Sequence, residues 1–267
     1  MSRRLLLALA VLATTAGCAA FGGADEASEF AAFDPTPREL RLMPDVVVTP
    51  FSALDRMRAM RETVGWQQWN MHPTKRPTRY RMVEFGGERV LEASADTAVA
   101  GLLHALDLDP NERPILEWRW RVDGTVPGAD IGERGMDDAP ARIVLAFDGD
   151  KSRLPLREQM FFERVKLLAG HDMPYAMLMY VWDNGRKPET VARNFHTSRI
   201  QKIVVQSGPE SVKEWLSYRR DIVADYERAY GVKPGRLIAV GVLTDSDNMR
   251  ESVRAWYGDI RLTARPR

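Results

Sequence analysis

Residues 116–122 read Leu116-Glu117-Trp118-Arg119-Trp120-Arg121-Val122, with large apolar side chains at every second position and charged ones between them. Successive side chains of a strand point to opposite faces, so this period of two predicts a half-buried strand with Trp118 and Trp120 on its core side. The charged face carries Glu117, Arg119 and Arg121. Its first expectation is a solvated face with internal pairing, its second a bidentate grip on an anion. The two tryptophans are expected to fill a core before they stack on a sugar.

Similar signals recur outward from this strand. Thr78–Phe85 and Glu88–Ser94 flank Gly86-Gly87, a two-residue connection suited to the positive φ angles of a tight hairpin. Arg142–Phe147, Ala176–Trp182, Gln201–Gln206 and Leu237–Leu243 are short apolar runs bounded by turn residues, and Ser252–Leu262 is expected to close the set as one more strand. Two segments follow helical spacing instead. Leu156–Ala169 interleaves charges with Met160, Phe161, Val165 and Leu168. Ile222, Val223, Tyr226, Ala229 and Tyr230 recur until Gly231, a suitable C-cap. About eight strands with two peripheral helices predict a mainly β fold, a jelly-roll-like two-sheet β-sandwich. The Phe161-Phe162 pair beside Arg164 and Lys166 is expected to pack on the sandwich, with contact to a membrane surface as the alternative.

The N-terminus carries an address. Arg3 and Arg4 precede the apolar run Leu5–Ala13, and Thr14-Thr15-Ala16-Gly17-Cys18 follows. That is the order of a secretory signal, and the run is far short of the ~20 residues that span a bilayer. The site before Cys18 resembles a bacterial lipobox, with Thr15 where that motif prefers Leu. The expected organisation is a signal peptide over 1–17, a lipidated Cys18 with a tether over 18–44, one sandwich over 45–263 and a tail over 264–267. By resemblance to lipoprotein sorting, Ala19 after Cys18 implies the outer membrane, facing the periplasm. The alternative is a plain secreted protein.

Composition narrows the function classes. Among 267 residues, 38 Lys and Arg stand against 37 Asp and Glu, so the basic surplus a nucleic-acid partner requires is absent. One cysteine excludes a disulfide framework and a Cys-rich zinc module. The four histidines, at 72, 104, 171 and 196, form no i, i+4 pair, and the nucleophile elbow and the phosphate and dinucleotide loops are missing from the sequence.

What remains chemically is a pair of acidic turns at strand ends. Asp137-Asp138 precedes the run that holds Arg142, and Thr244-Asp245-Ser246-Asp247-Asn248 follows the run ending at Leu243. Such side chains most often accept from their own turn backbone. They also offer hard oxygens to Ca²⁺, for which Asp245, Asp247 and Asn248 are the candidate ligands, although Met249 breaks the EF-hand spacing. Paired carboxylates can further serve glycoside cleavage.

Taken with Tyr180-x-Trp182, Asp225-Tyr226 and Trp256-Tyr257-Gly258-Asp259-Ile260, these motifs resemble the bacterial domain-of-unknown-function family 3047 over about Val46 to Leu262. Met136 and Met249 depart from its pattern. The resemblance implies a single β-sandwich of the jelly-roll kind shared with many carbohydrate-binding modules, and it implies no activity. The functional expectation is an envelope lipoprotein that binds a glycan or small polar ligand through Asp137, Asp138, Arg142, Asp245, Asp247 and Asn248 in loops on a rigid scaffold. The alternatives are a polysaccharide-active enzyme using paired carboxylates, or a structural partner in an envelope complex.

Overall fold

In the computed structural model, which describes residues 47–54, 65–71, 74–169 and 172–266, the alternating stretch lies on a strand, Ile115–Val122. In chain order the strands are β1 (Trp66–Trp69), β2 (Arg79–Phe85), β3 (Glu88–Asp96), β4 (Val99–Leu108), β5 (Ile115–Val122), β6 (Ala139–Phe147), β7 (Ala176–Asp183), β8 (Val191–Arg193), β9 (Ile200–Ser207), β10 (Leu216–Asp221), β11 (Leu237–Asp245), β12 (Ser252–Tyr257) and β13 (Arg261–Thr263). Two α-helices, α1 (Leu156–Ala169) and α2 (Ile222–Tyr230), and two short 3₁₀ turns, Phe51–Ala53 and Lys151–Arg153, complete the regular elements among the described residues.

The strands form a two-sheet sandwich. One sheet runs β1-β4-β11-β6-β7-β9-β8, the other β10-β5-β12-β3-β2 with β13 beside β5. All pairings are antiparallel except that of β7 with β9. Leu116, Trp118, Trp120 and Val122 face inward from β5, where the Trp118 ring stacks on Tyr180 at 5.0 Å and Trp120 approaches Trp182. The tryptophans are core.

Both faces of β6 and β7 are buried, for two different reasons. Their inner residues, Ile143, Leu145, Leu178 and Tyr180 among them, meet the opposite sheet. Their outer residues Val144, Ala146, Met177, Met179 and Val181 lie under α1, which contributes Phe161, Phe162 and Val165. The Phe pair packs on the sandwich as expected. Gly86 and Gly87 make the β2–β3 turn at φ of 61° and 81°, and Gly231 caps α2 at 73°.

Two expectations need correction. Ser252–Leu262 is not one strand: it breaks at Gly258–Ile260 into β12 and β13, and β5 pairs with each in turn. The break lets Arg119 pass, since a Cβ on Gly258 would sit 2.6 Å from the Arg119 Cγ. The strand tally was also short. β4, β1, β8 and β10 carry no alternating signal strong enough to announce them. The lipobox and Cys18 lie outside the described residues, as do His72 and His171.

Candidate functional site

Strand pairing brings the two acidic turns together. β6 and β11 are antiparallel neighbours whose register sets Asp245 opposite Ala139, with an irregularity between Leu243 and Asp245. The start of β6, preceded by Asp137 and Asp138, therefore lies beside the end of β11, followed by Asp247 and Asn248. All six expected residues meet at this corner, on the α1 side of the larger sheet.

Their side chains are held by fixed donors. Arg142 Nη2 donates to the Asp137 carbonyl at 2.8 Å and to Asp137 Oδ1 at 3.0 Å, and it lies 3.0 Å from Asp245 Oδ2. The other Asp245 oxygen accepts from Ala139 N–H at 2.8 Å. Asp138 accepts from the Asn248 side-chain amide at 3.0 Å and from Met249 N–H at 2.7 Å. Lys75 pairs with Asp247 at 2.7 Å. Lys202, only 1% exposed, donates to Asp137 and to the Ile131 carbonyl.

Burial and charge then set the protonation states. Burial presses the Asp137 pKa upward, but Lys202 and then Arg142 outweigh it and hold the group below its ordinary value. Burial raises Asp138, aided by Asp247 and opposed by Met249 N–H. Asp245 is driven well above the ordinary range by burial, which Arg142 opposes and the carboxylates of Asp138, Asp137 and Asp247 reinforce. Carboxyls with divergent pKa values at one corner are a recognised mark of a functional site.

Carboxylate oxygens of Asp138, Asp245 and Asp247 all lie within 4.8 Å of one another, a spacing that suits a Ca²⁺ ion. Two of those carboxylates, however, already take a cationic side chain. The Asn248 amide donates toward Asp138, with its nitrogen on the cluster side. The donor set fits a cation only after Lys75 has moved.

Above the network lies a cleft of about 370 Å³, lined in part by Lys75, Arg134, Asn194, His196, Asp247 and Asn248, while the space among the buried charges is only about 20 Å³. A ligand fits over the network and not within it. Phe195 stands beside the cleft, 56% exposed, with the Arg134 guanidinium 5.6 Å from its ring centroid and the His196 ring edge-on at 5.4 Å.

Lys202, Lys75, Asn194 and Phe195 are participants that the sequence reading missed. Only Lys202 left a signal: a lysine inside the apolar run Ile200–Val205, on the same face as Ile200 and Val204.

A larger depression, about 960 Å³, lies elsewhere, over the charged side of β5. Its charges pair among themselves, Arg119 with Glu88 and Arg219 with Glu117 at 3.2 Å, and Arg119 stacks on Trp215. Size favours this trough. Buried preorganisation and perturbed carboxyls favour the smaller cleft, and these bear more directly on specific recognition.

The motif-based resemblance is met by a match of the family described as "Protein of unknown function (DUF3047)" to residues 64–261. No curated protein matches the chain. Among solved structures, the endo-1,4-beta-glucanase CelB2, a cellulase, aligns at 9% identity and a TM-score of 0.42 over 83% of this chain and 100% of its own. The carbohydrate-binding module CBM28, specific for non-crystalline cellulose, aligns at 14% and 0.36 over 85% and 96%. The xyloglucanase domain of NopAA, a type three effector from Sinorhizobium fredii, in complex with cellobiose, aligns at 8% and 0.38 over 75% and 93%. All three scores are low, so the chemistry of the corner is argued from its own residues.

Proposed function

We propose that the chain, which belongs to the DUF3047 family, binds a glycan or another small polar ligand in the cleft above the Asp137–Asp245 network. The observation that carries this reading is a polar cleft whose floor is rigidly bonded, with the exposed Phe195 ring set against two of its lining residues, Arg134 and His196. A sugar presents an apolar face to an aromatic ring and hydroxyls to amides, carboxylates and cations, and this rim and floor offer both. The six residues named from sequence divide the work. Asp247 and Asn248 line the cleft, while Asp138, Arg142 and Asp245 fix the loops that carry them, and Asp137 reaches both levels.

The same reading places the domain in the bacterial envelope on a lipid at Cys18, at the outer membrane and facing the periplasm. Its support is the order of basic pair, apolar run and small residues before Cys18.

The test is a glycan array followed by titration of the hits. Truncating a half-exposed phenylalanine that a ligand covers costs about 1–2 kcal/mol, so Phe195→Ala should weaken a genuine hit roughly 5- to 30-fold with melting unchanged. An array without hits, or a variant that binds like the parent, overturns the assignment. Release of reducing ends from a bound polysaccharide would replace it with the enzymatic alternative.

A further inference from the structure

α1 buries one face and leaves another bare. Phe161, Phe162 and Val165 are 5% exposed or less, whereas Leu156, Met160 and Leu167 are 71%, 64% and 83% exposed. At about 100° per residue, positions 156, 160 and 167 fall within about 40° of arc on one face, with the exposed Glu163 at the edge of that arc between Met160 and Leu167. Among the described residues, three of the seven exposed large apolar side chains sit on this face. Single exposed apolar residues need no explanation, but an aligned set does.

The charges around the stripe identify its partner. Between residues 150 and 172 stand five cations, Lys151, Arg153, Arg157, Arg164 and Lys166, against the exposed acids Asp150, Glu163 and Asp172. Asp150 and Asp172 are drawn onto Arg153, Lys151 and Lys166. The fourth acid, Glu158, faces inward and accepts from Thr197 Oγ1 and from Ser198 N–H and Oγ. Arg157 and Arg164 fall on one flank of the apolar stripe, Arg164 also lying 5.7 Å from the Phe161 ring centroid, and Glu163 and Lys166 fall on the other. A helix with an apolar stripe and flanking cations is built to lie in the headgroup region of a bilayer.

We propose that α1 docks on an anionic phospholipid surface, with Leu156, Met160 and Leu167 entering the headgroup–acyl boundary and Arg157 and Arg164 reaching its phosphates. This goes beyond ligand binding at the cleft and does not depend on it. The Glu158 bonds tie α1 to the segment that carries Asn194, Phe195 and His196, so docking fixes how the cleft faces the membrane. Stable attachment takes two signals. A lipid at Cys18 would hold the domain near the surface, and α1 would orient it.

The experiment uses the mature chain, residues 18–267, carrying Cys18→Ser, which cannot take a lipid and lacks the apolar Leu5–Ala13 run, and co-sedimentation with vesicles of phosphatidylethanolamine and phosphatidylglycerol. The Cys18→Ser chain should pellet with these vesicles, less so with added salt. Adding Leu156→Glu, Met160→Glu and Leu167→Glu together should weaken partition by at least about tenfold without moving the melting temperature. The milder Leu156→Ser/Leu167→Ser pair guards against misfolding of the triple variant and should shift partition the same way. The proposal fails if the chain ignores the vesicles, or if the variants pellet like their parent. It also fails if light scattering shows a dimer that the same substitutions dissolve, since the stripe would then be a contact between copies.

Discussion

Replacing Lys202 with methionine isolates what the buried network contributes. The lysine is 1% exposed, and its ammonium serves two acceptors, the Asp137 carboxylate and the Ile131 carbonyl at 2.8 Å. Methionine keeps most of the volume and all of the apolar packing, so the change is electrostatic. Asp137 keeps Arg142 on one oxygen and loses its partner on the other. Breaking a buried pair from one side costs about 3–5 kcal/mol. At about 2–4 °C per kcal/mol for a domain of this size, the melting temperature should fall by roughly 6–20 °C. The pH dependence adds a sign. In the parent, the Asp137 pKa is held below 3.8, so its pairing stabilises the fold above that value and is lost as pH falls through the lowered one. Without Lys202, burial favours the protonated acid, so the deficit of Lys202→Met should shrink as the solution is acidified from neutrality. Thermal melts across pH, with Asp137→Asn and the double variant completing a cycle, measure all of this. A loss of under about 1 kcal/mol, or costs that simply add, would refute the reasoning.

Asp245 provides the opposite sign. Its folded pKa is raised well above 3.8, so the folded state binds the extra proton and stability declines as pH rises from 3.8 through the raised value. Asp245→Asn mimics the protonated form and keeps an acceptor for Ala139 N–H, so melts of this variant should lose that decline; an unchanged slope sinks the assignment. A Cβ on Gly241, in the middle of β11, would lie 2.4 Å from the Leu102 carbonyl and 3.0 Å from the Leu103 Cα, both backbone atoms of β4. Gly241→Ala should cost about 1–3 kcal/mol in urea unfolding, and Gly124→Ala, with open space around it, should not; equal midpoints would contradict this packing.

Where one face of a strand is wet and the other dry, the sequence was enough. β5 alternates because one side meets the core and the other carries Glu117, Arg119 and Arg121, the last with its guanidinium over the Phe85 and Trp256 rings, and the β2–β3 hairpin follows from two adjacent glycines. β4 was illegible for the complementary reason. Leu102, Leu106 and Leu108 join the inner core while Leu103 and Ala105 join the outer one, so both faces are mostly apolar, His104 and Asp107 aside, and no alternation marks the strand. The acidic turns were visible as chemistry but not as one place. Their meeting depends on β6 pairing with β11 across about a hundred residues, a choice set by the whole sheet. Phe195 gave no signal, because an exposed phenylalanine in a loop has no period.

The charges at this corner come to balance if one acid keeps its proton. Asp137, Asp138, Asp245 and Asp247 face Arg142, Lys202 and Lys75, and the group driven furthest toward its neutral form is Asp245. With Asp245 protonated, three carboxylates meet three cations, and the desolvation of each is met by a near partner. A set balanced in this way gains little from a divalent ion. Ca²⁺ would have to compete with Arg142 for Asp245 and expel the Lys75 ammonium from Asp247. A set built for folding alone would be apolar here, since well-packed hydrophobic residues stabilise as well as a buried ion network or better. What the charges add is rigidity. Asp138 pins Asn248 and Met249, Asp245 pins Ala139, and Arg142 bridges the two turns. The amide, ammonium and ring of Asn248, Lys75 and His196 then line a cleft whose floor is fixed, and a polar ligand binds such a preorganised floor at a lower ordering cost.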